Sequence, residues 1–175
     1  MKKILPGLLL LIVFASCKKE ISELPDTSQS GSNTFGAKIN GNLWGPANFG
    51  VFPGDILKAT KAGNRYVIDA NNLASSPNET EMQIILYDVV APGTYQLNTN
   101  VSHPNGTSSY GYYVKRNMTP ENEWLTSSTY TGMANVTKVD TINKIISGTF
   151  QFDAGSIYNS DVIHVTEGRF DVKYQ

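Results

Sequence analysis

Side chains able to do chemistry are few and scattered. The chain has two histidines, His103 and His164, and one cysteine, Cys17. Metal sites built from His or Cys gather their ligands at short spacings, as in His-Glu-x-x-His or paired Cys-x-x-Cys. Neither histidine has such a neighbour, so no metal ligand is assigned. His164 is out of step with apolar Ile163 and Val165, which marks it as a solvated strand residue. There is no Gly-x-Ser-x-Gly elbow and no phosphate loop, and a Ser-His-Asp triad would need distant positions. No catalytic residue and no cofactor is assigned, and the expected role is not enzymatic. The stretch "DAGSIYNSD" collects Asp153, Ser156, Asn159 and Asp161, oxygen donors of the kind calcium takes. Its spacing is not that of an EF-hand, and its Gly, Ser and Asn content suits a hairpin loop.

Residues 98–128 are the best candidate for a recognition surface. They combine Tyr110, Tyr112, Tyr113, Arg116, Asn117 and Trp124 with turns rich in Pro and Gly. Aromatic rings offer flat apolar faces to sugar C–H groups, while Asn and Arg bond hydroxyls, so a glycan or small polar ligand fits the composition. In "SSYGYYVKR" the face with Tyr110, Tyr112 and Val114 is expected inside and Tyr113 outside. The candidate ligand-binding residues are therefore Tyr113, Arg116, Asn117 and Trp124. Further on, Asp140-Thr141-Ile142 resembles the short Asp-Thr/Ser-apolar motif that some Bacteroidetes use for O-glycosylation of exported proteins, with Thr141 as acceptor.

Cys17 stands between an apolar run and a charged cluster in "LLLLIVFASCKKE". Lys2 and Lys3 precede an apolar segment from Ile4 to Ala15, interrupted by Pro6 and Gly7. A bilayer core needs about 20 apolar residues of helix, so the run is too short to span and reads as a signal peptide. Phe14, Ala15 and Ser16 before Cys17 resemble a bacterial lipobox; Phe14 replaces the commoner Leu or Val, as lipoproteins of the Bacteroidetes type tolerate. The resemblance implies cleavage after residue 16, a diacylglycerol thioether on Cys17 and a further palmitate-type chain on the new amino group. Several acyl chains together hold a protein stably to a membrane. The implied address is the outer membrane. Charged residues after a lipidated cysteine resemble a surface-export signal, which Lys18, Lys19 and Glu20 match in part, so the cell surface is favoured over the periplasmic face.

The elements that position these residues follow from the rest of the chain. Removing 16 of 175 residues leaves 159, a length for one domain. With Cys17 alone, no internal disulfide can form, and the domain must rely on its core. A net charge of −1 becomes −3 once Lys2 and Lys3 are gone, and no basic stripe exists for nucleic acid. Residues 18–33, "KKEISELPDTSQSGSN", are polar and read, with Cys17, as a flexible tether over 17–33 with an r.m.s. span of about 20–24 Å.

Residues 34–175 are expected to form one all-β domain, an antiparallel β-sandwich or alternatively a partly closed β-barrel. Asn40-Gly41 predicts a two-residue type I′ hairpin turn. Strands are predicted near 56–60, 65–70, 81–89, 93–97, 109–116, 130–140, 144–154 and 160–174. In "KIISGTFQFDA" Ile146, Gly148, Phe150, Phe152 and Ala154 share the inner face. Asp140 to Asn143 predicts a turn. The last run changes parity between Val165 and Phe170, which requires an extra residue, so a bulge or sharp bend is predicted at Glu167-Gly168, with Gly168 supplying the positive φ, or alternatively a tight turn between two short strands. The opening "FGAKINGNLWGP" and the close "VTKVDTINKIISGTFQFDAGSIYNSDVIHVTEGRFDVKY" resemble a family of small Bacteroidetes lipoproteins of unknown function. That resemblance implies an all-β fold and brings no known reaction. The implied partners are the membrane through the lipid anchor, and a glycan or another envelope protein.

Overall fold

A computed structural model describes residues 21–48, 54–74, 77–117 and 119–175, without the side chains of 117–121. Eleven strands are described: β1 (Thr34–Ile39), β2 (Asn42–Trp44), β3 (Leu57–Ala62), β4 (Arg65–Asn72), β5 (Thr80–Leu86), β6 (Gly93–Gln96), β7 (Tyr110–Asn117), β8 (Thr119–Leu125), β9 (Gly132–Asp140), β10 (Ile145–Ser156) and β11 (Val162–Lys173). No helix is found among the described residues.

All strand pairs are antiparallel, and the sheet runs β2-β1-β11-β10-β8-β7-β5-β4-β3, with β9 and β6 branching from β10. The sheet curls until its ends meet. Gln175, just past β11, exchanges backbone hydrogen bonds with Ala59 and Lys61 of β3, and Ala47, past β2, does so with Asn71 and Leu73 at the end of β4. The expected all-β fold is thus a single antiparallel sheet, curled between the forms of a sandwich and a partly open barrel.

Local chemistry explains the elements. Asn40 and Gly41 take φ of 49° and 82°, the two positive values that a type I′ turn requires, and join β1 to β2 as expected. Asp140 shapes the β9–β10 turn by accepting the amides of Ile142 (3.1 Å) and Asn143 (2.8 Å). Hydrogen bonds from Asn143, side chain first and then backbone, hold the Asp140 carboxyl down at about 2. In β10 the expected alternation holds, with Ile146, Phe150, Phe152 and Ala154 all buried.

The parity change in β11 is a bulge. Phe150 pairs with Gly168 and Phe152 with Val165, so three steps on β11 oppose two on β10, and β1 sees the same extra residue. The positive φ (52°) falls on Glu167, not Gly168. Gly168 is required for space instead: a Cβ there would lie 2.4 Å from the Phe150 ring. Beyond the bulge Phe170, Val172 and Tyr174 return to the core, as expected.

The inner face holds the main core, a train of rings. Phe35 and Phe150 centroids lie 5.3 Å apart, Trp44 stands edge-on to Phe35 (6.0 Å) and to Tyr113 (6.1 Å), and Tyr113 meets Trp124 at 5.5 Å. Aromatic pairs of this kind add about 0.5–1.5 kcal/mol each beyond area burial, a substitute for cross-links the chain cannot make. A second, smaller cluster lies on the outer face. It contains Ile85, Tyr110, Tyr112, Val114 and Leu125, with Val67 and Val101 packed against them.

The polar segment before β1 does not hang free where it is described. Asp171, 1% exposed, accepts the amides of Ser30 (3.1 Å), Gly31 (2.8 Å) and Ser32 (3.1 Å) and the Ser147 hydroxyl (2.7 Å). Burial pushes this carboxyl up, but the hydrogen bonds from Ser147, Ser32 and Gly31 outweigh it and hold it at about 2. Lys138 donates to Gln29 O (2.8 Å) and Arg169 to Pro25 O (2.9 Å). Residues 21–33 thereby form a strap across the outer faces of β1, β9 and β11, whereas a flexible tether was expected. The reason is local. Three successive amides converge on one buried carboxylate, an interaction that composition alone does not reveal.

Candidate functional site

The outer faces of β4, β5, β7 and β8 carry the densest polar constellation. Strand register sets it out in rows. Asp69, Gln83, Tyr112 and Leu125 lie side by side, and next to them Asn71, Glu81, Val114 and Glu123. Every second residue of an extended chain points the same way, so these side chains emerge on one surface.

Glu81 is 8% exposed and both its oxygens are engaged, one by Arg116 Nη2 and the other by Gln83 Nε2. Its neighbour Glu123 accepts the Tyr112 hydroxyl on one oxygen and the Tyr158 hydroxyl on the other, each at 3.0 Å. Tyr158 reaches it from the β10–β11 loop and remains 58% exposed. Asp69 accepts Asn71 Nδ2 at 3.0 Å. Burial, and then the charge of Glu81, push the Asp69 carboxyl up to about 6, against the pull of Asn71, Arg116 and Lys58. The Arg116 guanidinium is shifted up, chiefly by its hydrogen bond to Glu81. Burial, then the bond to Glu123, raises Tyr112.

One side of this face is walled by the loop before β7. His103 stacks flat on Tyr112, with centroids 3.8 Å apart and planes 7° off parallel. The Tyr110 hydroxyl accepts the Asn105 amide (2.9 Å) and shares a hydrogen bond with His103 Nδ1 at 3.1 Å. Burial lowers the His103 pKa and favours the neutral ring.

The four candidate ligand-binding residues do not form one surface. Arg116 lies on this outer face, half exposed. Tyr113 and Trp124, 8% and 7% exposed, point inward into the ring train. The face of β7 expected inside, with Tyr110, Tyr112 and Val114, lies outside under the loop, and Tyr113 takes the inner side. Both faces of this strand are apolar, so alternation fixes which residues share a face but not which face is inner. The side chain of Asn117 lies outside the described residues, as does Cys17. Thr141 is exposed at the β9–β10 turn beside Ile142, which is 91% exposed. His164, also exposed, meets Asp153 at 2.7 Å on the outer face of β10 and β11. Ser156 Oγ accepts the amides of Tyr158 and Asn159 and donates to Asn122 of β8, and Asn159 accepts the amide of Asp161. No group of three or more His, Cys, Asp or Glu able to hold a metal occurs among the described residues.

Sequence reasoning passed over Asp69, Glu81, Glu123 and Tyr158. The available signal was the parity of "TEMQIIL", where Glu81 and Gln83 alternate with apolar Met82 and Ile84. The partner strand β8 was not anticipated. "TPENEWL" contains Pro120 and few β-formers. Proline is tolerated because the residues of β8 that also pair with β10 are Trp124 and Leu125, leaving the Pro120 end on a sheet edge.

A pair of grooves, about 290 and 340 Å³, crosses β9, β10 and β11 around Met133 and Gln151. It follows the bulge at Glu167 and gathers fewer charged groups than the face described above.

No match is found among curated proteins or among solved structures. One family matches residues 32–172, from just before β1 into β11. The chain belongs to that family, described as a domain of unknown function, DUF6252.

Proposed function

We propose that this protein is an envelope lipoprotein, anchored to the outer membrane through acylated Cys17, whose all-β domain is a non-catalytic recognition module. Its recognition surface is the outer face of β4, β5, β7 and β8. One observation carries this reading: two carboxylates with both oxygens engaged, a third with its pKa near 6 and an exposed tyrosine converge on a sheet face toward solvent. Burying charge on an outer face costs stability, and such groupings concentrate where a surface has work to do. Glu123 and Glu81 hold Tyr158 and Arg116 in place rather than standing free as general bases, which favours binding over catalysis.

The ligand class that suits this face is a glycan or small polyhydroxylated molecule, with Tyr158 as the stacking ring and Arg116, Gln83 and Asp69 as hydrogen-bonding groups. Trp44 and Trp124 are buried, so indole fluorescence is a poor reporter of binding here. Titration of the labelled domain with an oligosaccharide panel, read as amide shifts, is expected to move Glu81, Arg116 and Glu123. Tyr158→Ala and Arg116→Ala are each expected to weaken such binding about tenfold or more, a loss of roughly 1.4 kcal/mol or more. Shifts confined to the Met133 groove, or none at all, would exclude this face for glycans and leave an envelope protein as the partner. Thr141 is the proposed O-glycan acceptor. The intact mass of protein from its native cells is expected to exceed polypeptide plus acyl chains, with the excess lost in Thr141→Ala.

A further inference from the structure

The strap gives the lipid anchor a fixed point of departure. Cross-strand neighbours Gly36 and Gly45 form a notch on the outer face of β1 and β2. A Cβ on Gly45 would lie 2.8 Å from Ile21 Cδ1, and one on Gly36 would lie 2.8 Å from Pro25 and 3.5 Å from Ile21. Ile21 and Pro25 occupy the space that side chains at those positions would fill. The strap then runs past Arg169 and Lys138 to the Asp171 carboxylate. Between Cys17 and Ile21 the chain has four residue steps, a reach of at most about 14 Å. A compact domain of this length is about 35–40 Å across. The reach is less than half of that, so the domain cannot roll over on its anchor.

We propose that the strap sets the orientation of the domain on the bilayer: the outer face of β1 and β2 stands toward the lipid headgroups, and the outer face of β5, β7 and β8 stands away from them. This rests on the reading that Cys17 is acylated. In the curled strand order β7 lies four strands from β1 through β11, β10 and β8, and four the other way through β2, β4 and β5, where Asn72 bonds Gly45 O; β7 therefore lies across the molecule, while the end of β4 borders the notch. Leu43, two residues before Gly45 and paired with Lys38 on the same outer face, is 41% exposed. The anchor thereby presents the recognition face to whatever lies beyond the membrane surface, without a long spacer.

The test uses full-length protein processed in a lipoprotein-exporting host, with acylation checked by intact mass, in phosphatidylethanolamine–phosphatidylglycerol vesicles that carry a nitroxide-headgroup lipid. Fluorophores are placed at Leu43→Cys and at Ser102→Cys, an exposed position on the loop covering β7. Lys38→Cys, across the strand from Leu43 on the same outer face, repeats the first reading should Leu43→Cys disturb folding. The Leu43 probe is expected to be quenched several-fold more strongly than the Ser102 probe. Releasing the strap with Ile21→Gly and Arg169→Ala should bring the two toward equality at unchanged acyl mass. Equal quenching of acylated wild type, stronger quenching at Ser102, or a difference that survives strap release would overturn the orientation and leave anchoring intact. A mass without acyl chains would overturn both.

Discussion

At the scale of single residues, Asp171 is the most consequential side chain of the fold. Its carboxylate, 1% exposed, ties the strap to β10 through the amides of Ser30, Gly31 and Ser32 and the Ser147 hydroxyl. Its folded pKa of about 2 lies below the unfolded value of about 3.9. A depressed carboxylate contributes stability that is complete above its unfolded pKa and lost as pH falls through its folded pKa. The difference is worth about 2.5 kcal/mol, so unfolding free energy should decline between pH 4 and pH 2. Asp171→Asn keeps one acceptor but loses the charge. It is expected to cost about 2 kcal/mol at pH 7 and to flatten that acid limb, as read by urea denaturation across pH. None of this was visible in the sequence. Asp171 sits in "GRFDVKY" as an alternating polar residue, and only pairing of β10 with β11 sets it beside Ser147 and beneath the strap.

At the scale of elements, the bulge in β11 shows how far periodicity carries. The shift from Ile163 and Val165 to Phe170 and Val172 demands an extra residue, and the structure supplies it between Val165 and Gly168. Which residue takes the left-handed conformation was not legible, because the decision lies in the Phe150 ring packed over Gly168, a contact between two strands. Glu167→Gly is therefore expected to be stabilising by about 0.5 kcal/mol, with relief of positive φ exceeding the loss of a solvent-exposed ion pair to Lys38. Gly168→Ala, which drives a methyl into Phe150, should cost about 2 kcal/mol. Thermal unfolding of the two variants distinguishes the assignments, and a reversed order would place the strain on Gly168. The same limit applies to the proposed recognition face. Alternation grouped Tyr110, Tyr112 and Val114 correctly, but the loop carrying His103 turned that outer face into a second buried cluster.

At the scale of the whole molecule, an all-β domain without disulfides was legible from turns and alternation, because each hairpin announces itself locally. The curl was not. It depends on Gln175 meeting β3 and Ala47 meeting β4, contacts between segments far apart in sequence. Nor was the strap, which converts an apparent tether into part of the domain surface. The proposed picture is a recognition module held close to a membrane by lipid on Cys17. The measurement that bears on it most directly is fractionation and protease shaving of intact cells producing wild type and Cys17→Ala. Wild type is expected in the outer-membrane fraction and sensitive to protease added outside the cell, while Cys17→Ala leaves that fraction. Recovery of wild type in soluble fractions, or unchanged membrane association of Cys17→Ala, would contradict the account.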